Sequence, residues 1–253
     1  MKMIQKKIRS LIYAGLGLIL CVLLCGGLGM TAQAESYDDF TYEDNENGIT
    51  ITGYTGDKTE LVIPGEIDGK KVTDIGMSAF KKYSSLTSVI IPEGVTNIGA
   101  NAFYNCNSLT SATIPKSVTS IGFLAFGYCG GLTSIVVDKE NKYYDSRNNC
   151  NAIIATESNT LVIGCKNTTI PASVTRLGED AFANCSGLTS ITIPQSVTSI
   201  GECAFSNCHD LVFYCYEDST AYEYAMDNSF DISVKLIGET VTPGDTSGDD
   251  KPT

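Results

Sequence analysis

The chain has 253 residues, with 29 acidic against 17 basic side chains and a formal charge of −12 near neutral pH. A surface this acidic repels phosphate backbones and anionic lipid, so neither nucleic acid nor a membrane is expected as a partner of the mature chain. One histidine, His209, and no Gly-x-Ser-x-Gly motif leave little for acid–base or nucleophilic chemistry, so no catalytic residue and no cofactor are assigned.

Residues 1–34 read as an export signal. Lys2, Lys6, Lys7 and Arg9 precede an apolar run from Leu11 to Met30, and Ala32-Gln33-Ala34 offers small residues for cleavage, so the mature chain begins near Glu35. Retention as an N-terminal anchor and lipidation at Cys25 are the alternatives; Gly26, Gly27 and Gly29 weigh against a continuous spanning helix, and the bulky Leu24 weighs against lipidation. Removing the segment leaves 13 basic against 29 acidic residues, a charge of −16. Residues 35–60 are expected to form an N-terminal cap, because Asn47-Gly48 is a turn signal ahead of the half-buried strand pattern Ile49-Thr-Ile51-Thr.

From residue 61 to 210 the chain is periodic. Ile-Gly-x-x-Ala-Phe recurs at Ile75, Ile98, Ile121 and Ile200, and as Leu177-Gly178, so that Phe80, Phe103, Phe126, Phe182 and Phe205 are spaced by 23, 23, 56 and 23 residues. In one unit, Leu109, Ala112 and Ile114 give the L-x-x-L-x-L pattern of a short strand with one buried face, and Pro115 ends it by withholding a backbone donor. Val118 and Ile121 then face inward, Gly122 allows a sharp turn, and the spacing of Ala125, Phe126 and Cys129 predicts one inward-facing helical turn. No coil can bury its apolar side chains alone, at roughly 1.5 to 3 kcal/mol for each large one, so stacking is obligatory and both ends need caps. The expected fold is a repeat solenoid, mostly β with short helical turns.

The 56-residue step is ten residues longer than two coils, and residues 132–187 diverge. Leu132-Thr-Ser-Ile135 restarts a strand, but Asp138 to Tyr144 replaces the proline turn. Asn151 to Ala155 and Thr160 to Gly164 flank Glu157-Ser158-Asn159, which predicts a hairpin inserted into the stack. Residues 211–237 are the expected C-terminal cap, with a short helix over 219–226 and an alternating strand at Ile232, Val234 and Leu236. The tail, 238–253, is too polar to fold alone.

The segment Leu188-Thr-Ser-Ile-Thr-Ile-Pro194, Ser196-Val-Thr-Ser-Ile-Gly201, Ala204-Phe205 and Cys208 resembles the BspA-type leucine-rich repeats of bacterial surface proteins, over about residues 40 to 237. The unit from Asn149 to Cys165 is similar to a variant coil of the same family. The resemblance implies a leucine-rich-repeat right-handed coil stack, exported and used as a non-catalytic adhesion or protein-binding module at the bacterial cell surface. The implied partner is a protein of the host matrix or of a neighbouring cell surface, met by a monomer that is either secreted or cell-bound. A structural spacer or targeting arm in an envelope assembly is the alternative.

Eight cysteines remain beyond residue 34 in a chain bound for an oxidising compartment. Cys106, Cys129, Cys185 and Cys208 each come three residues after their phenylalanine and read as a buried ladder. Cys150–Cys165 and Cys203–Cys215 are candidate disulfides by sequence proximity. Cys203, Cys208, His209 and Cys215 have spacing that tetrahedral zinc tolerates, but the inward assignment of Cys208 argues against a site, and no metal is assigned. The expected binding surface is the open strand face: Ser88 and Ile90, Ser111 and Thr113, Ser134 and Val136, Ser190 and Thr192, with Tyr143 and Tyr144 of the insert adding aromatic area.

Overall fold

The structure, a computed structural model, describes residues 35–228 and 232–237. The predicted signal segment and polar tail lie outside the described residues. The N-terminal end is an antiparallel meander of β1 (Glu35–Tyr37), β2 (Phe40–Asn45) and β3 (Gly48–Tyr54), with the expected Asn47-Gly48 turn joining β2 to β3. The chain then winds through about eight turns of a mostly β solenoid.

Each regular coil contributes to two parallel ladders. The first holds β4 (Glu60–Val62), β7 (Ser88–Ile90), β9 (Ser111–Ile114) and β11 (Ser134–Val137). The second continues from β3 through β6 (Lys70–Ile75), β8 (Asn97–Ile98) and β10 (Ser120–Ile121), with β5 (Glu66–Ile67) pairing antiparallel to β6. Pro92 and Pro115 end their strands, and Val95 and Val118 donate backbone bonds back to the proline carbonyls. Threonine is recurrent for a reason beyond solubility: the Thr110 and Thr133 hydroxyls donate to the carbonyls of Thr87 and Thr110, one coil earlier, at 3.0 Å.

Glycine at the corner is required by close approach. A Cβ on Gly99 would lie 2.7 Å from the Gly76 carbonyl carbon, and one on Gly122 2.4 Å from the Ala100 nitrogen. The segment after the corner is not a helical turn, which corrects one expectation. Residues two before and two after each phenylalanine are left-handed: Ser78 and Lys82, Asn101 and Asn105, Leu124 and Tyr128, Asp180 and Asn184, Cys203 and Asn207. The alternation turns every second N–H group toward the next coil, while those between them reach carbonyls three residues back in the same segment, as Ala102 to Gly99 and Tyr104 to Asn101. The Phe103 N–H reaches the Ala125 carbonyl at 2.7 Å.

Stacking covers the inward side chains. Phe80, Phe103 and Phe126 lie 5.0 Å apart ring to ring, nearly parallel, and Phe182 and Phe205 repeat the spacing. Phe40 and Tyr54 close the ring stack at one end, while Phe213 and Tyr224 close it at the other. The four ladder cysteines are buried, and the thiols of Cys106, Cys129 and Cys208 donate to the carbonyls of Phe80, Phe103 and Phe182 at 3.1–3.2 Å.

The divergent stretch is more than an inserted hairpin. β13 (Ile153–Ala155) and β14 (Thr160–Ile163) form that hairpin, and β12 (Tyr144–Asp145) adds a third antiparallel strand. β14 then pairs in parallel with β15 (Arg176–Leu177), which pairs with β17 (Ser199–Ile200). The other C-terminal sheet joins β16 (Ser190–Thr192), β18 (Leu211–Cys215) and β19 (Ile232–Leu236). Thus both ladders break at the insert, and two apolar cores meet there. Ile153 and Cys165 belong to the first core, while Ile154, Leu161 and Cys150 belong to the second.

Helix α1 (Thr220–Asp227), the one α-helix among the described residues, starts at Ser219, whose hydroxyl accepts from the Tyr222 N–H. It buries Ala221 and Ala225 and is too short to cross a membrane.

Candidate functional site: the strand face and the seam

The four-stranded ladder fixes which side chains share a row. Register pairs Val62 with Ile90, Ile90 with Thr113 and Thr113 with Val136, and all four point outward. Val62, Ile90 and Val136 are 62, 60 and 48% exposed, which is high for aliphatic side chains aligned in one stripe. The neighbouring row, Ser88, Ser111 and Ser134, is half-buried and polar. Val62 was absent from the sequence-derived set, although Leu61-Val62-Ile63-Pro64 repeats Val89-Ile90-Ile91-Pro92 and marks the same position.

Ser190 and Thr192 are exposed too, but they do not extend this stripe. Their strand pairs with β18 and not with β11, so they stand beside Val212 and Tyr214 in the other sheet, where the Lys235 ammonium lies 5.6 Å from the Tyr214 ring centre. The expected continuous face is therefore two faces separated by the insert.

Tyr143 and Tyr144 take opposite roles because adjacent residues of an extended segment face opposite ways. Tyr143 is 54% exposed. Tyr144 is half-buried against the first core, and its hydroxyl accepts from the Ile121 N–H at 3.1 Å, satisfying an edge donor of β10. It is a structural residue first. Asn141 pins it: the amide donates to the carbonyls of Pro115 and Val118 and accepts from the N–H groups of Tyr143 and Tyr144, all at 2.9 Å. Burial works against ionisation of Asp145, but the Arg147 guanidinium prevails and holds the carboxyl below its usual range. Arg147 also donates to Asn159 and Ser173, tying the insert to the next coil.

Beside Tyr144 the seam opens as a groove of about 270 Å³ lined by Ile121, Phe123, Val162, Ile163 and Glu179 among others. Phe123 is 52% exposed. Nothing in the inward periodicity marked it, since it comes directly after the corner glycine and points away from the core. Burial, then the neighbouring Glu179, pushes the carboxyl of Asp180 above its ordinary value.

The two candidate disulfides are not formed; all eight described cysteines are free thiols. Cys150 and Cys165 serve different cores, their thiols turned to the carbonyls of Ala152 and Asn151. Cys203 is exposed on a left-handed turn, whereas Cys215 is buried in β18. His209 is exposed, Cys208 is inside, and among the described residues no group of three or more His, Cys, Asp or Glu is placed to hold a metal ion.

A known family of repeats matches this architecture. The model of the BspA-type leucine-rich repeat region matches residues 59–159 and 162–237 in six copies. Among solved structures, the chain is similar to a leucine-rich repeat protein of Treponema pallidum, at 28% identity over 72% of this chain and 71% of that one, with a TM-score of 0.45. It is also similar to a leucine-rich cell surface protein of Faecalibacterium prausnitzii, at 22% identity, 72% and 76% coverage and a TM-score of 0.41. Among curated proteins none matches. Six repeat copies covering more than half of the sequence place the chain in the BspA-type leucine-rich repeat family.

Proposed function

We propose that this is an exported, non-catalytic binding protein that engages protein partners at the bacterial cell surface through the exposed face of its first ladder. The observation that carries the reading is the stripe Val62, Ile90, Thr113 and Val136, where three aliphatic side chains stand in register on a rigid parallel sheet and stay open to solvent. Family membership supports it, since repeat solenoids present extended surfaces of this kind to other proteins. A cleaved N-terminal signal, a monomeric state and adhesion as the outcome belong to the same reading.

The test replaces the stripe by the residue that Thr113 already carries. In the full chain, Val62→Thr, Ile90→Thr and Val136→Thr together should weaken retention on immobilised host-matrix or envelope proteins by at least about tenfold. Thermal unfolding should change little, because threonine keeps the β-branched shape and the positions are exposed. Retention equal to the parent's would move the site off this face. If the parent is retained on none of these proteins, the spacer reading replaces the binding one.

A further inference from the structure

At every regular junction the outer turns are joined by three backbone bonds. The N–H groups of Ser78, Phe80 and Lys82 donate to the carbonyls of Ala100, Ala102 and Tyr104 at 2.8–3.0 Å. Those of Asn101, Phe103 and Asn105 donate to Phe123, Ala125 and Gly127, and those of Asp180, Phe182 and Asn184 to Glu202, Ala204 and Ser206. The seam breaks the series. Among the described residues no group accepts from the N–H of Leu124, Phe126 or Tyr128. On the opposite wall Ala181 keeps its bond, from the Gly164 N–H at 2.8 Å, but no described donor reaches the carbonyls of Glu179 or Ala183.

The cause is a short-cut in the chain. Between β14 and Cys165 only Gly164 intervenes, so this coil lays down no Ala-Phe segment, and the Phe182 ring closes over Gly164, 2.1 Å from where a Cβ would stand. One end of the seam is shut, for a Cβ on Gly130 would lie 3.4 Å from the Asn184 carbonyl. The other end is the groove between Phe123 and Glu179.

The residues directly after each corner glycine give the mouth its chemistry. Before the seam they are Met77, Ala100 and Phe123, with Met77 73% and Phe123 52% exposed; after it they are Glu179 and Glu202, both exposed acids. An apolar wall thus faces an acidic one, and the unmet backbone donor of Leu124 lies between. A small apolar ligand would use neither the donor nor the acids, whereas a polypeptide uses all three. We propose that the mouth of the seam receives an extended segment of a partner protein: one of its carbonyls accepts from the N–H of Leu124, an apolar side chain rests on Phe123 and Tyr144, and a Lys or Arg next along the segment meets Glu179 and Glu202. This site lies apart from the strand face and stands or falls independently of it.

The probe is a fluorescein-labelled peptide copying residues 76–83, Gly-Met-Ser-Ala-Phe-Lys-Lys-Tyr, a sequence that adopts this ladder conformation in the first coil and carries two lysines after its phenylalanine. Fluorescence anisotropy against the full chain should show saturable binding. It should weaken at least about tenfold when both peptide lysines become Glu, and again in the protein variant Glu179→Lys with Glu202→Lys, whose substituted side chains are exposed and whose melting should be unchanged. Phe123→Asp should abolish binding of the original peptide. No saturable binding up to about 1 mM, or equal binding of the acidic peptide, overturns the proposal. Concentration-dependent dimerisation that the peptide competes away would give the seam to a second copy of the chain and overturn the assignment to a partner.

Discussion

Replacing Asn141 by alanine removes four hydrogen bonds at one stroke, and the structure sets how much that costs. Two of the groups left behind are carbonyls of the buried residues Pro115 and Val118; a third is the N–H of half-buried Tyr144, and the fourth belongs to exposed Tyr143. A net hydrogen bond is worth about 1 kcal/mol, and water replaces the exposed one most readily, so Asn141→Ala should cost roughly 2–3 kcal/mol. Asn141→Asp sharpens the test. A carboxylate still accepts from Tyr143 and Tyr144 but offers no proton to Pro115 and Val118 and sets a charge against their carbonyls, so at pH 7 it should cost at least as much as alanine. Its carboxyl is then easier to protonate in the folded state than in the unfolded one. The folded-state pKa is raised, and the deficit relative to the parent should shrink as the pH falls through it. Urea unfolding monitored by circular dichroism at pH 7 and pH 4.5 reads both effects. An alanine variant within about 0.5 kcal/mol of the parent would refute the role given to Asn141.

The thiols give a second prediction. Among the eight described cysteines, a disulfide reagent at pH 8 should label the exposed Cys203 promptly and the seven buried ones only on unfolding. Burial pushes Cys185 up to about 12 and Cys208 up to about 11, from an ordinary 9.0. Above pH 9 the unfolded chain therefore loses protons that the folded chain keeps. Their contribution is intact below pH 9 and should decline by up to about 1.4 kcal/mol per pH unit for each thiol until its folded value is reached. Cys185→Ala with Cys208→Ala should flatten the alkaline fall of the melting temperature; an unchanged slope would show that other groups cause it. Thirdly, Gly122→Ala drives a Cβ to 2.4 Å from backbone, which the coil cannot yield locally. Its unfolding midpoint should fall well below that of Ala100→Ser, a half-buried change one coil earlier, and equal midpoints would refute the corner-packing account.

Much of the fold was readable because stacking makes each inward position a nearest-neighbour contact. Phe103 must match Phe80 and Phe126, so the period survives in the letters themselves. What faces outward carries no such signal. The spacing of Ala125, Phe126 and Cys129 fits a helical turn as well as it fits a left-handed alternation, and hydrophobicity cannot separate them. The discriminating cue was asparagine at 101, 105, 184 and 207, since Asn tolerates positive φ. The candidate site was partly legible for the same reason. Ile90 and Val136 broke a threonine pattern and could be noticed, whereas Phe123 broke none. Tyr143 and Tyr144 share one expected role in the sequence, whereas an extended backbone sets them on opposite faces. The disulfide pairings failed similarly, for closeness in sequence does not put Cys150 and Cys165 in one core.

The insert resolves a problem that its own short-cut creates. A solenoid has no core beyond its neighbour contacts, so a junction that keeps one outer-turn bond of three should be its weakest link. Side chains reinforce the β14–β15 pairing that remains there. Asn141 binds the coil before, Arg147 reaches Asn159 in the hairpin turn and Ser173 in the coil after, and Tyr144 satisfies the edge of β10. These groups restrain the strand side of the seam and leave the outer side open at the groove, and that asymmetry is why the unpaired donor of Leu124 persists without the stack closing over it. A regular repeat would have satisfied every donor with its own next coil. The interruption thus gives the chain both its second core and an edge available to another polypeptide.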